Sequence, residues 1–503
     1  MTDRLAGWLV TGAVTAIAFV LRVVHLGRPN ALIFDETYYA KDAYSLLRFG
    51  YERSWPKDAN TQILAGNPDV LKDTSSFIVH PQLGKWLIAL GEHFFGMTSV
   101  GWRVGPLIVG TLLVLVLTRL VRRVSRSTLI GGLAGLLLAF DGLSFVMSRV
   151  ALLDIFLAFF LVAAVACLAA DRDWFRNRLA DHLQRSGQAD LGGRFGPGLI
   201  VRPWRIAAGL CFGLALGSKW NALYVLAAFA LLSLAWDVGA RRLAGAGPRA
   251  YTGIARDGVP AFVSLVLLSA VVYLSTWASW LVNPGGHDRD WGANHPDAWT
   301  TRILGDGLAS LIQYHKDIWG FHTGDYINNA THSYDAKPIG WLLVVRPLSM
   351  HYNGDVASGT DGCTADKCVS AVLAIGTPVL WWAGVIALVA AAILWIAARD
   401  WRFGIPVVGV LSVWLPWFSY DTRPVFYFYA IALIPFTVMA VALCLGRLIG
   451  DARAGDRRML GGILAGAFVA LVAVDFAWLY PILSGEAITY EQWRARMWFR
   501  SWI

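Results

Sequence analysis

Runs of about twenty apolar residues recur along the whole chain, and they limit what it can fold into more than any other feature. A helix of roughly that length crosses about 30 Å of hydrocarbon, and a helix satisfies its own backbone there. About eleven stretches qualify: 5–25, 99–118, 128–147, 151–170, 204–217, 219–236, 260–282, 377–398, 404–419, 424–446 and 459–482. The fifth and ninth are short. Composition agrees with the pattern. Of 503 residues, 56% are hydrophobic and 15% charged, with a mean hydropathy of +0.53. An ordinary soluble domain is about 25% charged. These figures exclude a soluble enzyme, a disordered chain and a disulfide scaffold. They predict an all-α polytopic membrane protein, and the 24 Trp suit its interfaces.

Charge sets the expected orientation. The first span follows MTDR and runs into RPNALIFDE without a clear cleavage site, which reads as a retained signal anchor. With the N-terminus cytoplasmic, the inner loops are 119–127, 171–203, 237–259, 399–403 and 447–458. Each carries arginines, beginning with Arg119, Arg122, Arg123 and Arg126, so the positive-inside rule holds at every one. The net charge of +9 therefore reflects topology and contact with anionic lipid, and nucleic acid is not needed. All eight Lys fall outside or at the outer boundary. The expected location is the cell (plasma) membrane, with an odd number of spans leaving the C-terminus outside.

The chain divides into three parts. Residues 1–282 form a transmembrane module with the outer loop 26–98. Residues 283–376 form a second large extracytoplasmic loop, and 377–503 hold the last spans and an outer tail. The tail 485–503 is rich in Trp and Arg and predicts an amphipathic interfacial helix. Cys363 and Cys368, in DGCTADKC, suit a disulfide outside the cytosol or one half of a zinc site. Cys167, Cys211 and Cys444 read as apolar fillers in spans.

Three clusters could carry chemistry. FDETYYAKDAYSLLRFG (34–50) has helical periodicity and should lie along the outer leaflet, opened by Asp35 and Glu36. Adjacent helical residues point about 100° apart, so the two acids have different jobs. Acids at a helix start are also expected from capping and the helix dipole alone. HPQLGKWLIALGEHFFG (80–96) is a second amphipathic stretch with His80 and Lys85 at its start. There Lys85 either snorkels or meets an anionic head group. The third, 323–352, combines His332, Tyr334, Lys337, Trp341 and Arg346. Around them, Arg22, Arg103, Asp141, Arg149, Asp154, Lys219 and Arg423 lie at the outer ends of spans. Ionisable groups at such depth face a cavity or each other. Arg149 could pair with Asp154, and Arg22 with Asp35 or Glu36. A cationic outer-leaflet pocket suits a lipid phosphate. This describes an enzyme using a lipid-phosphate substrate, and equally a transporter with an ionisable pathway. Broken spans in two related halves, which would favour a secondary transporter, are not evident.

The order of motifs resembles the protein O-mannosyltransferase family. After FDE and HPQLGK come SRVALLD (148–154), SKWNALY (218–224), ATHSYDAKPIGWLLVVRP (330–347), TPVLWW (377–382), WLPWF (414–418) and RPVFYFYA (423–430). The likeness runs over most of the chain. Eukaryotic members carry a β-trefoil in the second outer segment, and 283–376 leaves little room for one, so the chain is similar to bacterial members. The resemblance implies a C-type glycosyltransferase fold. It also implies inverting transfer of mannose from polyprenyl phosphate mannose to Ser or Thr of translocated proteins. Asp35 matches the acidic catalytic position and Glu36 the second acid, expected to orient groups around the site. Arg22 and Arg103 match basic positions that matter in the family, and His80, Lys85, Lys219 and Arg346 fall in its shared motifs. With them, Arg149, Asp154, His332 and Arg423 complete the expected substrate-binding set. The implied partners are the lipid-linked donor, secreted or membrane proteins as acceptors, membrane lipid, and the protein translocation machinery. No metal-ligand spacing stands out, although Asp35, Glu36 and His80 are candidates to meet around a divalent cation. The nearest rival is a C-type glycosyltransferase acting on a lipid or cell-wall glycan.

Overall fold

The computed structural model describes residues 3–420, 422–450 and 455–503. Every predicted span lies on helix. Asp3–Val23, Ser99–Ser125, Asp154–Ser186, Pro203–Ser218, Ala222–Arg241, Pro378–Ile396, Trp401–Trp414, Ile434–Ile449 and Asp456–Ser484 account for nine of the eleven. The stretch 128–147 splits into Thr128–Ala139 and Gly142–Met147, and 260–282 ends in Leu268–Ser275 and Ala278–Val282. Among the described residues, seven helical stretches are long and apolar enough to cross a membrane, with Ala222–Ser275 counted as one. Ala222–Ser275 holds two of the eleven predicted stretches, and three others fall on the shorter helices Thr128–Ala139, Pro203–Ser218 and Ile434–Ile449. The twelve residues Thr128–Ala139 rise only about 18 Å before the break at Asp141. Asp141 caps the next helix, accepting from Ser144 N at 2.8 Å, and it also accepts from Trp381 Nε1 at 2.7 Å.

The Ser99–Ser125 and Asp154–Ser186 helices form the middle of the bundle, and their apolar faces join one large core. The amphipathic helices Glu36–Phe49 and Leu83–Phe95 pack at one end of it. A Cβ on Gly105 would lie 2.5 Å from the carbonyl oxygen of Leu87, so the missing side chain lets Leu83–Phe95 approach this closely. At the far end, Arg202 and Arg205 bind Asp171 and Asp237 in a buried four-residue ion cluster. This cluster ties together the helices that carry them.

The purely helical expectation gains one exception. Strands β1 (Leu348–Val356), β2 (Cys368–Ala374) and β3 (Ala487–Thr489) form an antiparallel sheet in that order. Leu348 pairs with Ala374 and Ser370 with Ala487. The tail is thus not one interfacial helix. It contributes β3, a short helix Tyr490–Arg496 and a final turn, with Trp493, Met497 and Trp502 buried. Covering the otherwise open edge of β2 satisfies backbone groups that a free strand would leave bare. Cys363 and Cys368 form a disulfide at the β1–β2 connection, which resolves the alternative of a zinc pair. Beside it, Asp361 accepts from Arg28 Nη2 at 2.6 Å and from Ala487 N at 3.0 Å. The sheet therefore braces the segment that leads to Asp35.

Candidate active site

Asp35 sits at the entry to the Glu36–Phe49 helix, and its carbonyl accepts from Tyr38 N and Tyr39 N at 2.9 and 3.0 Å. Its carboxylate makes no capping bond, and no ion pair among the described residues. Its backbone starts the helix while its side chain is left for other work. The preceding Phe34 has φ +46°, a left-handed conformation that a bulky residue adopts only when its surroundings enforce it. Here Phe34 is held edge-on against Phe426 and Phe428, both at 5.7 Å. Glu36 supplies the other restraint. It is fully buried, accepts from Ile33 N and Ala151 N, and takes two bonds of 2.8 Å from Arg103. The rest of the Arg103 guanidinium donates to the carbonyls of Leu26, Pro29 and Ala31. Glu36 and Arg103 thereby fix the loop on both sides of Asp35.

Beside this turn opens a cavity of about 430 Å³, lined by His80, Asp154, Lys219, Trp220, Arg423 and Tyr429 among others. Lys219 follows directly on the Pro203–Ser218 helix, and its Nζ donates to Asp154 Oδ2 at 2.7 Å. It also lies over the rings of Phe428 and Tyr429, at 5.7 and 5.1 Å. Arg423 Nε is buried without a partner among the described residues. Leu216, Leu223, Leu226, Val266 and Ala270 make an apolar wall. The Asp35 carboxyl is pushed up to about 6, chiefly by burial; Lys219 opposes the shift and Asp154 adds to it. His80 is pushed well below its usual range, again by burial first and then by the Lys219 charge, so it is neutral near pH 7. The site thus combines an unbonded carboxylate, two cations and a neutral imidazole.

Four of the expected residues, His80, Asp154, Lys219 and Arg423, line this cavity, and Asp35 feels the charges of Lys219 and Asp154 from beside it. The others do not. Arg103 spends its donors on Glu36 and three carbonyls, so it faces no ligand. Lys85 is buried between Asp42 and Glu52, at 2.8 and 3.2 Å, and neither snorkels nor reaches a head group. Arg149 pairs with no acid among the described residues; it donates to the carbonyls of Arg22, Val24 and His25 at the end of the first span. Asp154 has taken Lys219 instead. Arg22 reaches neither Asp35 nor Glu36, and donates to Ser144 and Ser148 hydroxyls, both at 3.1 Å. Arg346 donates to the carbonyls of Ser333, Ser501 and Ile503 and so holds the tail. His332 is exposed, with its ring against Phe426 at 4.9 Å. Asp35, Glu36 and His80 do not meet around a cation: among the described residues no three His, Cys, Asp or Glu side chains do.

Several lining residues escaped the sequence reading. Trp220, Tyr224, His315, His322, Tyr420 and Tyr429 all face the cavity. Trp220 stacks on His315 at 5.6 Å, and the Tyr224 and Tyr420 hydroxyls meet at 3.1 Å. SKWNALY and RPVFYFYA contain three of them, and an aromatic residue beside a span-end cation was the available signal. His315 and His322 lie on a helix of the second outer segment, where nothing local marks them.

Two family profiles match the chain. The one described as "Dolichyl-phosphate-mannose-protein mannosyltransferase" covers residues 12–183. The one described as "C-terminal four TMM region of protein-O-mannosyltransferase" covers 308–502. Among curated relatives, the polyprenol-phosphate-mannose–protein mannosyltransferase of Mycobacterium tuberculosis is 39% identical over 99% of this chain and 92% of its own length. That of Corynebacterium glutamicum is 33% identical over 98% and 93%. Among solved structures, the S. cerevisiae protein O-mannosyltransferase Pmt1–Pmt2 complex bound to the sugar donor superposes with a TM-score of 0.74. It is 13% identical, and the match covers 100% of this chain and 93% of that one. The Archaeoglobus fulgidus oligosaccharyltransferase AglB, solved with an inhibitory peptide and a dolichol-phosphate, gives 0.52 at 14% identity over 96% and 56%. The ordered motifs, the membrane-embedded helical fold and the full-length relatives agree: this chain belongs to the protein O-mannosyltransferase family.

Proposed function

We propose that this glycosyltransferase transfers mannose, with inversion, from polyprenyl phosphate mannose to Ser or Thr hydroxyls of exported proteins. The observation that carries the reading is an unbonded Asp35 carboxylate close to Lys219, at the side of a cavity that Lys219 and Arg423 line and that has an apolar wall. A Ser or Thr hydroxyl is a poor nucleophile and needs a positioned base. Asp35 takes the hydroxyl proton as the oxygen attacks the anomeric carbon. The bond from that carbon to the phosphate oxygen breaks, and its electron pair leaves with the polyprenyl phosphate. The phosphate gains a second negative charge in this step. Lys219 and Arg423 meet that charge where it develops, so no acid is required on the leaving group. Neutral His80 can donate to the departing phosphate without competing for the proton of the acceptor. The apolar wall suits the prenyl chain. Glu36 and Arg103 act through the turn that aims Asp35.

The multi-pass chain is read as lying in the plasma membrane, with its N-terminus cytoplasmic and the Asp35 end outside. Arginine-rich loops at the opposite end support this orientation. Acceptors would then be met during export, close to the translocation machinery. The test supplies radiolabelled polyprenyl phosphate mannose and a Ser/Thr/Pro-rich peptide to membranes containing the protein. Label in the peptide is expected. Label only in a lipid fraction would move the acceptor to a glycolipid and refute the protein acceptor.

A further inference from the structure

At the end of the bundle opposite Asp35 lies a second cavity, of about 490 Å³, with a different chemistry. From Arg103 to Arg122 the Ser99–Ser125 helix rises about 28 Å, the thickness of the hydrocarbon core, so the cavity sits at the other membrane boundary. Arg119, Arg122, Arg123 and Arg126 line it, against two carboxylates, Asp3 and Asp173. Arg122 pairs with Asp3 at 2.7 Å and Arg123 with Asp173 at 3.1 Å, and Asp173 is shared with Arg172. Two guanidinium groups remain. Arg126 is exposed and has no ion pair among the described residues. Arg119 has a buried Nη1 with no hydrogen-bond partner among the described residues, and its guanidinium lies 3.9 Å from the ring centre of Trp8. A buried, unsatisfied charged donor is costly unless something absent from the protein itself meets it.

The surroundings indicate what that is. Trp8 and Trp204, 50% and 43% exposed, flank the site as indoles do at a headgroup boundary. Leu120, Ala166, Cys167 and Ala170 supply an apolar wall beneath the cations. A free anion has no use for that wall, whereas a lipid places its glycerol and upper acyl carbons there.

We propose that this cavity binds the phosphate of an anionic phospholipid in the leaflet opposite the active site, with Arg119 and Arg126 as its ligands. Planar guanidinium groups suit phosphate oxygens geometrically. The site is independent of the transfer reaction, and its test does not use activity. Phosphatidylglycerol is titrated into the detergent-purified full-length protein, and bound lipid is counted by native mass spectrometry. The proteins compared are wild type, Arg119→Gln, Arg126→Gln and Arg457→Gln, the last removing a basic group of the same membrane face outside this cavity. The first two variants are expected to weaken the tightest binding event about tenfold, and Arg457→Gln to leave it unchanged. Inorganic phosphate in excess should not displace the lipid. Arg119 is half-buried and its loss could disturb folding; Arg126 is exposed and makes no hydrogen bond or ion pair among the described residues, so its variant decides the matter. Unchanged affinity in Arg126→Gln overturns the proposal. Equal weakening in Arg457→Gln reduces the effect to general surface attraction and overturns it too. Displacement by inorganic phosphate would make this a free-anion site and reject the lipid.

Discussion

Replacing Asp35 by Asn should abolish transfer and leave the protein at least as stable as before. Burial raises the Asp35 carboxyl from 3.8 to about 6. The folded state therefore holds this proton more tightly than the unfolded chain does. As pH rises from 3.8 to 6, the unfolded chain releases the proton first, so stability falls across that window. Above pH 6 the full cost is present, at most about 3 kcal/mol for a shift of this size. The side chain is only half-buried, and water reaching it trims the cost toward about 1 kcal/mol. No hydrogen bond or ion pair among the described residues depends on the carboxylate, so Asn removes the cost and breaks none of them. Catalysis, on the proposed mechanism, loses its base, which is worth about 10²–10⁴ in rate. The assay pairs thermal unfolding of purified protein at pH 5 and 7.5 with single-turnover transfer from labelled donor to peptide. The expected result is an unfolding midpoint at pH 7.5 equal to or above wild type, with transfer at least about a hundredfold slower. A clearly lower midpoint would make Asp35 a structural cap. Transfer within a few-fold of wild type would remove it as the base.

Four further outcomes are expected. Glu36→Gln leaves Arg103 buried without its counter-charge, and should cost about 3–5 kcal/mol of stability; an unchanged unfolding midpoint would show that the pair does not hold the turn. The transfer rate in wild type should fall with a one-proton slope below pH 6, where Asp35 becomes protonated; a flat profile between pH 5 and 7 contradicts this. Lys219→Met removes both a phosphate cation and the charge that holds Asp35 down, so it should slow transfer and move the acid limb to higher pH; a slower rate with an unmoved limb would separate Lys219 from Asp35. Cys363 and Cys368 should resist alkylation until the protein is reduced, and ready labelling of untreated protein would refute the disulfide.

Elements that repeat a local pattern were legible in the linear chain. Apolar runs mark the spans because one helix must satisfy its own backbone in lipid. The arginine asymmetry of the loops marks the two ends of the bundle. Helical periodicity after FDE places Asp35 at the start of Glu36–Phe49, as observed. What the sequence left undecided was the partner of each buried charge. Arg22, Arg103, Arg149 and Lys219 are equivalent in a linear reading, since each is a cation at the outer end of a span. Tertiary structure sorts them. Arg103 reaches Glu36 across 67 positions and Lys219 reaches Asp154 across 65, while Arg149 finds only carbonyls. In a low-dielectric interior a cation must be met by whatever acceptor the packing brings within about 3 Å, and that acceptor is set by helices distant in sequence. The short strand Ala487–Thr489 was hidden for a related reason: three residues carry no periodicity, and only the bare edge of Cys368–Ala374 makes them a strand. The place of Asp35, proposed as the base, was therefore legible from its neighbours in the chain. Whether a given cation serves the substrate or the fold was decided by the space between helices.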